Sequence, residues 1–469
     1  MRVTLLVPLG FLSGTLLARA LLSHAPASIA VDRAQPLVVV TYWQQFGFEM
    51  WAALFIAIAI ASVGYVAALV SARAWFDKLT MTPVVTIALY SALACVAALA
   101  FPVVFSSDAY AYAGYGWLAL HSVSPYAHAA VTIRDPLMNA VLWQWGNPPP
   151  VCVYGPAFVW FAQTIVAMFG GFGPAAPLWA LRVSACVTLV LCAPLAFYAF
   201  ANFPPRTRLA AAAGIALNPV AIWSAAEGHN DVLLIAIVLG GFALIARSLP
   251  LAGAFLLALS PLVKLPGLLA AAVAACAYAR DRSRFARVLL GTIAGFALAA
   301  FAAWAALSQL SYNPVARGHY FPQFSLQYAL SSAFGDSAAI AITAAVVFSC
   351  SAAGCTLLWR RNVTGAPLLA LALWIAIPDP YPWYALWILP VAFVAFETPA
   401  TWAIVALTLC SVVRYLPDAT TALSRNLNLA IVCVMLGVPA GVFIVRSMRS
   451  PSVRPDRTAA RDSALPHSR

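Results

Sequence analysis

The chain has 469 residues, of which 64% are hydrophobic and only 9% are charged. Soluble domains carry about a quarter charged residues, and a water-soluble fold of this size has no interior large enough for so much apolar surface. The composition therefore excludes an ordinary soluble protein and predicts an all-α polytopic membrane protein.

Fourteen apolar segments follow one another along the chain, and several are shorter than the ~20 residues that a perpendicular transmembrane helix needs. They lie near 4–22, 50–71, 81–105, 178–200, 209–226, 231–246, 251–263, 266–279, 286–308, 338–359, 364–377, 384–397, 399–413 and 427–446. We expect about 12–14 transmembrane helices, some of them short or re-entrant, with additional helices in the extracytoplasmic loops. The first segment is interpreted as a retained helix rather than a cleaved signal peptide. The apolar stretch 154–170 is interpreted as an interfacial or re-entrant helix, because a full crossing there would reverse the orientation of everything after it.

The net charge of +12 is explained by membrane orientation. If the N-terminus is cytoplasmic and the segments alternate, one side of the membrane holds 18 of the 26 Lys and Arg residues. Such an excess marks the cytoplasmic side, so both termini are expected there and no nucleic-acid partner is needed to explain the charge. The membrane domain is expected to span 1–446 with a large outer loop at 106–153, and 447–469 to be a disordered basic cytoplasmic tail.

Asp108 stands near the start of this outer loop, in a chain with only 14 acidic residues. On a helix, Asp108, Tyr112 and Tyr115 share one face. One interpretation is an aromatic helix lying on the bilayer surface, with Asp108 as its N-cap. The other is that the carboxylate points into a cavity at the membrane surface, where burial would raise its pKa towards that of a useful general base.

Five motifs in the same order along the chain carry a family resemblance. They are DAYAYAGYGWLALHSVSPY from residue 108, VYGPAFVW from 153, LNPVAIWSAAEGHNDVLLIAIVLGGFAL from 217, SPLVKLPGLLA from 260 and YPWYALWILP from 381. Together they resemble the polyprenol-phosphate-sugar-dependent glycosyltransferases of the C superfamily, and especially the bacterial mannosyltransferases that use polyprenyl-phosphate-mannose.

The resemblance implies a GT-C-like helical bundle in the bacterial inner membrane with its active site on the extracytoplasmic face. It also implies inverting transfer of a hexose, with mannose as the first expectation, from a polyprenyl-phosphate-sugar donor to a glycan or glycolipid acceptor. In that family an acidic residue of the first large extracytoplasmic loop is the catalytic base, and Asp108 occupies the matching position.

Cations are expected near the donor phosphate, because a sugar on a lipid phosphate has a good leaving group whose charge must be stabilised. The candidates are Lys264, His229, Arg317 and His319. Lys264 is one of only two lysines and is expected at or within the outer membrane boundary, where a cation needs a partner unless it snorkels to the interface. Arg182 is interpreted as an interface anchor.

Aromatic and polar side chains on the outer side are candidates for sugar or lipid contacts, because flat aromatic faces stack on both. They are Tyr112, Tyr115, Glu227, Asn230, Asp379, Tyr381, Trp383 and Tyr384. Two structural interpretations compete with these roles. Asn230 is a suitable cap for a helix that begins at Asp231, and the stretch 378–384 has the composition of an aromatic belt around a Pro-rich turn.

The six histidines and sparse carboxylates show no metal-ligand spacing, so no cofactor and no protein-held metal are expected, although a divalent cation held weakly on the phosphate stays open. Two other functions also stay open. A transporter or lipid flippase would place its polar groups near the membrane midplane, whereas a lipid-linked glycan ligase would also act at the outer face. The expected partners are the lipid-linked donor, the acceptor and membrane lipid.

Overall fold

The computed structural model describes residues 2–23, 40–71, 81–101, 103, 106, 108–127, 151–307, 322–417 and 424–449. Within these ranges the protein is built from α-helices and short 3₁₀ helices, with no β-strand, which confirms the predicted all-α membrane architecture. The first nine α-helices are α1 Leu6–Ser23, α2 Val40–Ser71, α3 Thr82–Leu99, α4 Asp108–Leu120, α5 Pro156–Phe169, α6 Ala175–Ala199, α7 Pro205–Ala216, α8 Pro219–Ala226 and α9 Asp231–Ala246. The others are α10 Pro250–Ala258, α11 Leu268–Tyr278, α12 Arg282–Leu307, α13 Leu326–Phe334, α14 Asp336–Trp359, α15 Gly365–Ile375, α16 Leu389–Ala392, α17 Pro399–Cys410 and α18 Arg425–Arg449.

Seven of the described helices are long and apolar enough to cross a membrane: α1, α2, α3, α6, α12, α14 and α18. An eighth crossing arises if α7 and α8, which meet at an angle of 41°, form one span. Seven further apolar helical stretches are only 10–17 residues long, and α5, in the stretch 154–170, belongs to this group. The prediction of 12–14 transmembrane helices counted shorter apolar stretches of this kind, apart from 154–170, as membrane spans.

Proline and asparagine explain how the short helices begin. Proline suits the first turn of a helix because its φ is already helical and its missing N–H would have no partner there. Five of the described α-helices start in this way, at Pro156, Pro205, Pro219, Pro250 and Pro399. Asn218 also caps α8, since its Oδ1 accepts from the amides of Val220 and Ala221 at 3.0 and 3.2 Å. Its Nδ2 donates to Thr408 Oγ1 at 2.9 Å, so the break between α7 and α8 is tied to α17 by a buried polar contact.

The packing between helices and the outer surface both suit a lipid environment. Gly10 of α1 lies so close to α2 that a Cβ there would come within 2.6 Å of the carbonyl oxygen of Ala57. Small residues permit such approaches in lipid, where van der Waals packing holds helices together. On the outside, Phe301, Trp304 and Phe348 expose 75%, 70% and 75% of their surface. Large apolar side chains facing outward need an apolar solvent, which the bilayer supplies.

The structure describes the predicted C-terminal tail and the predicted outer loop only in part. α18 continues to Arg449, so the first three residues of the predicted tail are helical and 450–469 lie outside the described residues. Residues 128–150 of the outer loop also lie outside them, as do Arg317 and His319.

Candidate functional site

α4, which carries Asp108, is an internal helix. Residues Ala109 to Gly116 are all buried, and α4 packs so tightly on α5 that a Cβ on Gly116 would collide with the backbone of Ala162. The interpretation of this segment as an aromatic helix on the bilayer surface is therefore wrong. Asp108 is the first residue of α4, and its carboxylate is engaged by other side chains rather than serving as an N-cap.

Three side chains converge on Oδ2 of Asp108. The hydroxyl of Tyr112 donates to it at 2.9 Å and the hydroxyl of Tyr154 at 3.3 Å. Nδ1 of His229 lies 3.2 Å away, and the Asp108 side chain is only 13% exposed. Tyr112 reaches Asp108 because the two residues stand one helical turn apart, as the sequence indicated. Tyr115, one turn further along, is buried with its ring centre 6.4 Å from that of Tyr154.

The electrostatics of Asp108 differ from the expectation. Burial acts to raise the pKa of the carboxyl group, but the hydrogen bond and charge of His229, the charge of Lys264 and the hydrogen bond from Tyr112 outweigh burial and lower it. The expected rise in the pKa of Asp108 is therefore wrong. The sequence could not show that His229 and Lys264 both face this carboxylate. Asp108 is held ionised.

His229 is fully buried among three carboxylates. Its Nδ1 lies 3.2 Å from Asp108 and 3.7 Å from Asp231, and its Nε2 lies 3.8 Å from Glu227. Burial acts to lower the pKa of His229, but the hydrogen bonds and charges of these carboxylates raise it to about 9. Gly228, with φ of +87°, makes the turn that places Glu227 and His229 around the same centre, a conformation that glycine adopts without strain. His229, a candidate for the donor phosphate, thus lies directly against the proposed base.

Lys264 lies at a break in the helical path between α10 and α11. Short 3₁₀ helices, Ser260–Leu262 and Leu265–Gly267, flank it, and its own backbone is extended. Its Nζ lies 2.8 Å from Asp231 Oδ1 and 3.2 Å from Asn230 Oδ1, with 11% of the side chain exposed. Lys264 is therefore held inside the protein by a carboxylate and does not snorkel to the interface.

Asn230 connects Lys264 to Asp108. Its side chain makes no capping bond to α9, so the capping interpretation is wrong. Its Oδ1 instead accepts from Lys264 and, at 3.3 Å, from the hydroxyl of Tyr112. Because Tyr112 also bonds to Asp108, two polar side chains bridge the carboxylate and the ammonium group.

Aromatic rings surround Lys264. Its Nζ lies 5.3, 5.6 and 5.0 Å from the ring centres of Tyr154, Tyr384 and Trp387, within the range of cation–π attraction. The indole of Trp387 also donates a hydrogen bond to Asp231. The sequence analysis did not select Tyr154 or Trp387, and it did not predict that Asp231 pairs with Lys264. Both aromatic residues stand in the motifs VYGPAFVW and YPWYALWILP, which were the available signal.

Gly155 joins the loop of Tyr154 to the break that carries Lys264. Its amide donates to the carbonyl of Val263 at 3.2 Å. A Cβ at this position would collide with the backbone of Pro261 and Leu262, so the two segments meet through their main chains.

An apolar groove of about 390 Å³ opens beside this cluster. It is lined by Ala157, Phe158, Phe161, Leu233, Ala236, Ile237, Leu256 and Val263. The groove adjoins the polar cluster because Val263 precedes Lys264 and because Phe158 packs against Tyr112 with ring centres 4.7 Å apart.

Arg182 is not an interface anchor. It is buried, with 1% of its surface exposed, and its guanidinium donates to the carbonyls of Ala226 at 2.5 Å and Leu99 at 2.9 Å. These carbonyls end α8 and α3. A cation is favourable at helix C-termini, so Arg182 fixes the two helix ends from which the chain continues to Glu227 and towards Asp108.

The aromatic candidates near residue 380 extend the site on another side. The ring of Trp383 lies 4.0 Å from that of His229, and Tyr381 stacks on Trp383 at 4.7 Å. Asp379 pairs at 3.5 Å with Arg414, a residue that the sequence analysis did not select. Among the described residues no group of three or more His, Cys, Asp or Glu side chains is arranged to hold a metal ion.

The fold and the cluster define a polytopic helical membrane protein with a buried, ion-paired site beside an apolar groove. Residues 7–280 match the model of the MptA_B family, described as alpha-(1->6)-mannopyranosyltransferase, N-terminal domain. The match covers more than half of the chain, so the chain belongs to this mannosyltransferase family. The match also confirms the resemblance seen in the motifs of the sequence. Comparisons with curated proteins and with solved structures gave no match.

Proposed function

We propose that this protein transfers mannose from polyprenyl-phosphate-mannose to a glycan or glycolipid acceptor, forming an α-(1→6) linkage at the extracytoplasmic face of the bacterial inner membrane. The observation that carries the proposal is the bridge from Asp108 through Tyr112 and Asn230 to Lys264, with contacts of 2.9, 3.3 and 3.2 Å. A base for a hydroxyl group and a cation for a phosphate thus lie within the span of one sugar phosphate.

The reaction assigns one task to each end of this bridge. An acceptor hydroxyl attacks the anomeric carbon, the bond from that carbon to the phosphate oxygen breaks, and the hydroxyl proton passes to Asp108. The leaving polyprenyl phosphate keeps the bonding electron pair, and Lys264 stabilises its charge. A single displacement inverts the anomeric centre through an oxocarbenium-like transition state. Such a state makes the hydroxyl more acidic as its bond forms, so an ionised carboxylate of low pKa serves as base.

The apolar groove supports a lipid-linked donor. Its lining is made of aliphatic and aromatic side chains and includes Val263, the residue that precedes Lys264. An isoprenoid chain in this groove would bring its phosphate to the lysine. Soluble nucleotide-sugar donors have no use for such a surface, which favours a polyprenyl phosphate.

The basic residues support the proposed orientation. Arg208 bonds to the carbonyl of Phe197 at 3.1 Å, near the end of α6 opposite Arg182, and Arg206 pairs with Glu397 at 3.1 Å. Arg247 lies over the ring of Tyr198 in the same region. An accumulation of Arg at the end of the bundle opposite the site favours an extracytoplasmic site under the positive-inside rule.

Sugar transfer by the purified protein in lipid nanodiscs tests the proposal. Polyprenyl-phosphate-mannose and a mannoside acceptor are the substrates, and Asp108→Asn is compared with wild type and with Glu397→Gln, a control at the opposite end. Loss of the base is expected to lower kcat by about 10²- to 10⁴-fold with donor binding retained, whereas the control keeps its turnover. Undiminished transfer by Asp108→Asn would move the base elsewhere. Donor movement across the bilayer of sealed vesicles that contain wild type, without sugar transfer, would favour the flippase alternative.

A further inference from the structure

A second cluster is connected to Asp108 through His229 and Trp383 and lies beyond residue 280, where the family match ends. Arg414 is buried, with its guanidinium 4.0 Å from the ring centre of Phe324 and 4.5 Å from that of Tyr381. Its Nε lies 3.5 Å from the carboxylate of Asp379. A planar guanidinium in contact with two aromatic rings has little freedom, so it fixes the orientation of the carboxylate that pairs with it.

Trp383 connects this cluster to the base. Its ring lies 4.0 Å from His229 at an angle of 31°, and 4.7 Å from Tyr381 at an angle of 17°. The rings of His229, Trp383 and Tyr381 therefore form a continuous series of contacts between Asp108 and Arg414.

We propose that Asp379 and Tyr381, positioned by Arg414, bind the acceptor saccharide; this inference rests on the proposed function. A glycosyl transfer needs two substrates at one base, and Lys264 with the apolar groove accounts for the anionic lipid donor. The second cluster offers a carboxylate for vicinal hydroxyl groups and a phenol hydroxyl that can hydrogen-bond to another sugar oxygen.

The charge and exposure of the cluster fit a neutral sugar. Asp379 and Arg414 cancel each other's charge, so the pair has no surplus cation with which to attract a second phosphate. The Asp379 side chain is 19% exposed against 5% for Arg414. The carboxylate is thus the group that reaches the ligand, and Arg414 acts through it.

Steady-state kinetics of Asp379→Asn separates the two substrates. The KM for a mannoside acceptor is expected to rise about tenfold or more, because hydrogen bonds to a charged group are lost, while the KM for the lipid-linked donor stays within twofold. Arg414→Lys is expected to give a smaller rise in acceptor KM, because lysine keeps the charge but not the planar stack. Glu397→Gln, which also removes one partner of an ion pair, is the matched control with both KM values unchanged.

A selective rise in donor KM would assign the cluster to the donor, and unchanged KM values in both variants would reduce the pair to a structural contact. Should Asp379→Asn fail to fold by thermal unfolding, Arg414→Lys carries the same test. Titration of tryptophan fluorescence with an α-(1→6)-linked mannose oligosaccharide, without donor, separates this inference from the proposed function. Saccharide binding by wild type that weakens in Asp379→Asn supports the subsite even if no transfer occurs, and equal binding by both proteins overturns it.

Discussion

Replacing His229 by glutamine is expected to change the pH dependence of transfer. Glutamine keeps a hydrogen-bonding side chain of similar length but cannot carry the positive charge that faces Asp108 at 3.2 Å. Without that charge the pKa of Asp108 rises, since burial continues to oppose ionisation. The base then becomes protonated at a higher pH than in wild type, and the acidic limb of the pH profile moves upward.

The size of this effect follows from the histidine itself. Its pKa is raised from 6.5 to about 9, and at 1.36 kcal/mol per pH unit this corresponds to about 3 kcal/mol in favour of the charged imidazole. Burial acts against the charge, so the attraction from the three carboxylates exceeds this figure. Asp108 makes the shortest of the three contacts, so loss of the imidazolium charge is expected to move the acidic limb upward.

The assay is kcat/KM for mannosyl transfer between pH 3 and pH 10, because this ratio reports the ionisation of the free enzyme and the acidic limb of wild type lies at low pH. His121→Gln is the control, since His121 is exposed and stacks on Trp117. Superimposable profiles for His229→Gln and wild type would refute the electrostatic reasoning. The same linkage predicts a stability effect: the histidine's contribution is complete below about pH 6.5 and is lost as the pH rises through about 9. The Tm of wild type should therefore fall over that window more than the Tm of His229→Gln.

Two further substitutions test the donor side of the site. Lys264→Met removes the ammonium group but keeps an unbranched side chain, and it is expected to raise donor KM by about 10- to 100-fold with little change in acceptor KM; equal donor KM values in steady-state kinetics would exclude a phosphate contact. Ala236→Trp fills the apolar groove and is expected to raise KM for a long-chain donor while sparing a donor with one or two isoprene units. A similar KM change for both chain lengths would show that the groove does not hold the isoprenoid.

The sequence predicted the membrane architecture because apolar composition and charge asymmetry are properties of the chain alone. It also placed Asp108 and Tyr112 correctly relative to each other, since they stand one turn apart on a single helix. The prediction failed where distant segments meet. The pairing of Lys264 with Asp231 joins residues 33 positions apart, and the contact of His229 with Asp108 joins the turn between α8 and α9 to the start of α4. Neither leaves a periodic signal in the sequence.

Arg182 is a second case in which the sequence does not reveal contacts between distant segments. In a sequence, an arginine near the end of a span has the composition of an interface anchor. The structure gives it the carbonyls of two other helices as partners, a role that depends on how α3 and α8 end. Arg414 escaped selection for a similar reason, because its aromatic partners Phe324 and Tyr381 are far away in the chain.

The main-chain bond from Gly155 to Val263 has a mechanical consequence. Tyr154, which bonds to Asp108, and Lys264, which pairs with Asp231, are each one residue away from that bond. The bond therefore sets the spacing between the two backbone segments. A displacement of the backbone at Tyr154 would be transmitted to Lys264 through the main chain, so the two residues would move together.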